Sequence, residues 1–189
     1  MADGATTGMP PANESQLLVL LARNRGDVIE RVLGVLRRRA PFFSTINVAP
    51  SQEPAMMRVT IGFQGTQAIA ERTIAQLRKL VDVCSATVIP AAGADSDVLL
   101  REFTLIRVAC NAQTRREIVE LAHLFAARVV DITRTSVTVE VSGSPARIES
   151  LLRLLRPFGI REVVRTGQIA MKRDTDPGAE APEAIAAGE

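Results

Sequence analysis

Val59-Thr60-Ile61-Gly62-Phe63-Gln64-Gly65-Thr66 reads over Val137-Thr138-Val139-Glu140-Val141-Ser142-Gly143-Ser144 at a constant offset of 78 residues. Both stretches alternate apolar and polar residues and end at a glycine, the pattern of a half-buried strand closing in a turn. Each is followed by a helical periodicity, from Ile69 to Leu80 in the first copy and from Ala146 to Phe158 in the second, with Leu77 falling on Leu155. The match extends upstream at an offset of about 87: Leu17–Ala22 lies over Thr104–Ala109, and Asn24 over Asn111. The chain is therefore read as two copies of one unit, the first with a longer connection through Ala49-Pro50-Ser51-Gln52-Glu53-Pro54.

Each copy resolves into the same six elements. In the first, a buried apolar strand over 16–22 precedes a helix over 27–39, whose Val28, Ile29, Val32, Leu33 and Leu36 repeat at helical spacing. Strands over 44–48 and 56–63, a helix over 67–80 and a strand over 83–89 complete it. The second copy runs 102–110, 115–126, 129–133, 136–142, 145–157 and 160–168. The order β-α-β-β-α-β is the split, ferredoxin-like pattern. The fold class is α+β: two tandem ferredoxin-like βαββαβ domains, over 16–90 and 101–171. A linker over 91–100 joins them, with a floppy lead-in over 1–15 and a disordered acidic tail over 172–189. An antiparallel sheet with both helices on one face leaves its other face open, and that face must meet another sheet, another chain or a ligand.

Composition narrows the function. Across 189 residues there are one His, two Cys, no Trp and no Tyr. That inventory cannot supply the four N/S ligands of a structural zinc site or a four-cysteine iron–sulfur cluster. No metal or catalytic residue is nominated. His123 sits beside an apolar helical stripe and is read as solvated or half-buried, and Cys84 and Cys110 as buried strand residues. RNA-binding domains of the same topology stack bases on strand aromatics, which Met57–Phe63 and Val137–Val141 do not supply. No nucleic acid is expected. The net charge of +2 is uneven. The first fifteen residues carry two acidic groups, the last eighteen carry two basic and five acidic ones, and residues 16–171 hold +7. The arginines are scattered over predicted helix faces, so a solvated surface is the plainer reading. No run approaches the ~18 apolar residues of a membrane span, and Met1–Asn13 lacks a secretory pattern. A cytoplasmic location without membrane attachment is expected.

The feature with most binding potential is the strand-to-helix turn Ala22-Arg23-Asn24-Arg25-Gly26-Asp27-Val28-Ile29. Asn and Asp cap helices and Gly permits a tight turn. The same helix N-terminus can receive an anion such as an amino-acid carboxylate. Simple capping explains these residues equally well.

Four stretches carry a family resemblance. Gln76–Val83 resembles the end of the ACT domain of acetolactate synthase (acetohydroxyacid synthase) small, regulatory subunits. Ala127–Thr133, Thr138–Gly143 and Leu155–Gly167 resemble that family's C-terminal domain, in phrases that ACT domains at large do not share. The resemblance covers about residues 16–173. It implies an N-terminal ACT domain and a C-terminal small-subunit domain, with no chemistry on this chain. It implies, as partner, a large catalytic subunit that carries thiamine diphosphate, FAD and magnesium and serves branched-chain amino-acid synthesis. It further implies a homodimer formed through the ACT domains, activation of the partner, and feedback inhibition by valine bound between paired ACT domains.

On that resemblance the effector-binding positions are Asn24, Gly26, Asp27, Val28, Ile29, Phe42, Phe43 and Ala49. The family turn reads Asn-x-x-Gly-x-Leu; here Asp27 occupies the Gly position, and Gly26 sits one residue early. Phe42 stands where the family has an Asn. A carboxylate at Asp27 is expected to repel the effector's carboxylate. Phe42 removes an amide whose hydrogen bond is worth ~1–3 kcal/mol, as much as the whole of a typical allosteric coupling. Valine sensing is expected to be weak, altered or absent, while activation survives. The alternative is a free-standing ACT-type amino-acid sensor with another target.

Overall fold

The computed structural model describes residues 15–39, 43–90 and 98–173. The chain ends, residues 40–42 (with Phe42) and most of the expected linker lie outside the described residues.

The first domain comprises β1 (Ser15–Arg23), α1 (Val28–Arg39), β2 (Phe43–Pro50), β3 (Met56–Gln64), α2 (Gln67–Leu77) and β4 (Val83–Pro90). Its antiparallel sheet has the order β2-β3-β1-β4. The second comprises β5 (Val98–Ala109), α3 (Thr114–Leu124), β6 (Arg128–Ile132), β7 (Ser136–Gly143), α4 (Pro145–Leu155) and β8 (Ile160–Lys172), ordered β6-β7-β5-β8. The two aligned stretches become β3 and β7, each pairing antiparallel with its domain's first strand: Leu20 faces Val59, and Ile106 faces Val139. Strand alternation sends Leu18, Leu20 and Ala22 of β1 into a core with Val32 and Leu36 of α1 and Leu77 of α2. Ile106, Val108, Ile118, Val139, Leu151 and Leu155 build the equivalent core in the second domain.

Local chemistry sets the ends of the helices. Ser144 caps α4 by accepting the Arg147 amide at 3.4 Å, and Pro145 fills the first turn, where its missing N–H costs nothing. Pro157 then ends the helix at Leu155 in a short 3-10 turn, earlier than the expected 157. Helix α2 likewise stops at Leu77 instead of 80. The Lys79 and Leu80 amides switch to carbonyls three residues back, and the Arg78 side chain reaches the Ala86 carbonyl at 2.7 Å.

The second domain departs from its expected boundaries. β5 begins at Val98, inside the expected linker, and β8 continues to Lys172, into the expected tail; Val98 pairs with Lys172 and Leu100 with Ala170. This extension lies on the open face of the first sheet, where Leu17, Val19, Ile89 and Ala170 form a third apolar cluster with Val98 and Leu100. Asn47 Nδ2 donates to the Thr166 carbonyl at 2.8 Å, and an Arg58 guanidinium N–H donates to the Ala170 carbonyl at 2.7 Å. Part of the face left open by the first domain's two helices is therefore covered by the second domain. Cys84 also departs from expectation. It is exposed, because the β1–β4 register slips there: Ser85 pairs with Leu21 and Val83 with Ala22, so Cys84 is the unpaired residue of a bulge on an edge strand, while Cys110 is partly buried against the second core.

Candidate functional site

The turn between β1 and α1 is held from three sides. The Asn24 amide donates to the Ala55 carbonyl at 2.7 Å, the Arg23 amide to the Asp82 carbonyl at 2.8 Å, and the Val28 amide to the Arg25 carbonyl at 3.3 Å. Comparison of the two copies separates capping from availability. Asn111, the counterpart of Asn24, accepts the Gln113 and Thr114 amides at 2.9 and 2.8 Å, so its side chain is spent as a cap. The exposed Asn24 side chain makes no hydrogen bond among the described residues. Asn24, Gly26 and Asp27 are all exposed at the start of α1, where the first-turn amides lack intrahelical acceptors.

The electrostatics of the turn differ from the sequence-based expectation. Asp27 pairs with Arg31, one helical turn along. Arg31 also lies 3.5 Å from the Asp82 carboxylate, and Arg25 lies 3.7 Å from it on the other side. The Asp82 side chain is only 7% exposed. Two carboxylates thus meet two guanidinium groups, and this four-residue cluster carries no net charge. The repulsion expected from Asp27 alone is offset by Arg31. The i,i+4 spacing of that pair was readable in the sequence, whereas Asp82 reaches the turn only through the β1–β4 pairing.

The remaining candidates separate. Val28 is 1% exposed and is a core residue, and Ile29 packs partly against the same core. Ala49 pairs with Arg58, and Arg23 with Met56, so Ala49 stands at the same end of the sheet as the turn. Phe43 pairs with Phe63, which faces Gln16 near the start of β1. It therefore lies at the opposite end, six residues or about 20 Å along β2. Within one chain Phe43 does not meet Asn24.

Two tandem ferredoxin-like units, the first with an unspent strand-to-helix turn, define a protein of the ACT type. The family model described as the small subunit of acetolactate synthase matches residues 101–174. A probable acetolactate synthase small subunit from Archaeoglobus fulgidus is 35% identical over 156 residues, covering 82% of this chain and 95% of the relative. The acetolactate synthase small subunit of Mycobacterium leprae is 36% identical over 156 residues, covering 82% and 90%. The crystal structure of the small subunit from Thermotoga maritima superposes with a TM-score of 0.75 at 29% identity, covering 84% of this chain and 97% of that one. The chain belongs to the acetolactate synthase small-subunit family. No helix among the described residues is long and apolar enough to cross a membrane.

Proposed function

We propose that the chain is a non-catalytic regulatory subunit of acetolactate synthase, which raises the activity of a thiamine diphosphate-dependent large subunit. The observation that carries this reading is similarity to acetolactate synthase small subunits across 82% of the chain, both domains included. On this reading thiamine diphosphate, magnesium and FAD reside on the large subunit, and the pair works in the cytoplasm.

The subunit acts as a homodimer joined through its ACT domains. Support comes from the separation of Phe43 from Asn24. A site containing both the turn and the start of β2 needs two chains, with the turn of one beside the β2 start of its partner. Such a site would hold a branched-chain amino acid, its carboxylate at the α1 N-terminus. Arg31 neutralises Asp27, so weakened valine sensing rests on Phe42, which brings no amide to the effector.

Reconstitution tests the proposal. Adding the chain to a large subunit from the same source should stimulate acetolactate formation, and valine should inhibit the mixture weakly. Absence of stimulation would overturn the regulatory role; strong valine inhibition would overturn the part assigned to Phe42.

A further inference from the structure

The extension shared by β5 and β8 has two faces. Val98, Leu100 and Ala170 pack on the first sheet, and strand alternation sends Leu99, Arg101, Ile169 and Met171 the other way. Register sets Leu99 beside Met171 and Arg101 beside Ile169. This outer row borders a groove of about 360 Å³, whose far side carries Ala49 and Arg58 of the first sheet. Ile169 is 52% exposed and Met171 65%, so two neighbouring large apolar side chains stand open to water. The charged side chains lining the groove are Arg58 and Arg101, both exposed. Arg58 spends one N–H on the Ala170 carbonyl at 2.7 Å, and Arg101 spends one on the Leu100 carbonyl at 2.8 Å. A guanidinium has five such donors, and neither group pairs with a carboxylate among the described residues. Lys172 and Arg173, exposed where β8 ends, add positive charge beside it. The groove is apolar and positive.

The chain supplies a complementary segment of its own. Residues 174–189 carry Asp174, Asp176, Glu180, Glu183 and Glu189, no basic residue, and one large apolar residue, Ile185. We propose that this segment seats in the groove of its own chain, with Ile185 against Ile169 and Met171, and with Glu180 and Glu183 at Arg58 and Arg101. The segment departs from Arg173, two residues beyond Met171, and the stretch from Arg173 to Ile185 can span up to ~40 Å, so the groove is within reach. Attachment by so short a linker gives an effective concentration on the order of millimolar. Contacts as weak as exposed ion pairs then suffice. Seated there, the acidic segment covers an apolar surface otherwise open to other chains. The contact is independent of the effector turn and of any catalytic partner.

The sequence contains no Trp, so Ile185→Trp in the full chain gives a single emitter for the test. Its fluorescence should be blue-shifted relative to a free peptide of residues 174–189 with the same substitution. Arg101→Glu reverses one charge of the groove and Met171→Ser removes part of its apolar wall. Each should return the emission to that of the peptide. Both positions are exposed, so neither change should disturb the fold, and the melting temperature checks this. A second measurement leaves Ile185 in place: a protease that cuts after glutamate should cleave at Glu183 several-fold faster in either variant than in the wild type. Peptide-like emission from the full chain overturns the proposal, as does a blue shift that either variant retains. Equal cleavage rates overturn it as well. A blue shift lost on dilution gives the groove to a second copy's segment and overturns seating within one chain.

Discussion

Replacing Gly167 with alanine tests how the two domains are held together. Gly167 has φ +78° and sits where β8 passes β2; a Cβ there would lie 2.6 Å from Thr45 Cγ2 and 2.7 Å from Thr45 Cβ. An L-residue in that backbone region costs about 1–2 kcal/mol. The overlap is with the root of the Thr45 side chain, which no rotamer change relieves, so β8 must move away from β2. That movement breaks the Asn47–Thr166 hydrogen bond, worth about 1 kcal/mol. Together these give about 2–3 kcal/mol, or a fall of about 4–12 °C in melting temperature for a chain of this size. With no Trp or Tyr in the sequence, calorimetry suits the measurement better than fluorescence. The endotherm should broaden or split as the domains uncouple, and amide exchange should rise over 166–172. Adding Thr45→Gly should recover part of the loss, with a coupling of about 1–2 kcal/mol between the two positions. A melting temperature within about 2 °C of wild type, or strict additivity of the two changes, would refute the reasoning.

Further outcomes follow from other contacts. Arg165→Met leaves the buried Glu102 carboxylate uncompensated and should cost about 3–5 kcal/mol in urea unfolding, much of it regained when Glu102→Gln is added. Leu155→Ala, at a fully buried position in the second core, should cost about 2–5 kcal/mol by the same measurement. In calorimetric titration of the reconstituted enzyme, Asp27→Asn should change valine affinity less than about threefold, because Arg31 already balances the carboxylate. Phe42→Asn should tighten it about tenfold by restoring one amide hydrogen bond; no change would remove Phe42 from the effector site.

The elements of both domains were legible because their signals are local. Alternation in Val59–Gln64 and Val137–Gly143, a glycine turn and a helical stripe each act within a dozen residues. What escaped local reading depends on distant pairing. Val98-Leu99-Leu100 and Ile169-Ala170-Met171 look like flanks of a linker and a tail until register joins Val98 to Lys172. Cys84 reads as buried by residue type, yet its place in a bulge on an edge strand turns it outward. At the turn, Asn24, Gly26 and Asp27 were visible as a chain-local motif. Asp82 lies in a stretch where nothing in its neighbours points to the turn 55 residues earlier. Phe43 and Ala49, assigned by resemblance to one site, occupy opposite ends of β2. The expected strand over 44–48, with Phe43 before it and Ala49 after it, already implies that separation.

The long β5–β8 pair makes the two repeats unequal as modules. β1 and β4 span nine and eight residues, whereas β5 and β8 span twelve and thirteen. The surplus roofs the first unit. A fragment ending at residue 90 would present Leu17, Val19 and Ile89, at most 9% exposed in the intact chain, directly to water. A fragment beginning at 101 would keep all four strands of its own sheet and its whole core. Although the repeats are alike in sequence, only the first has its open sheet face roofed by the other, and any shuffling of it into a new setting requires a substitute for that roof.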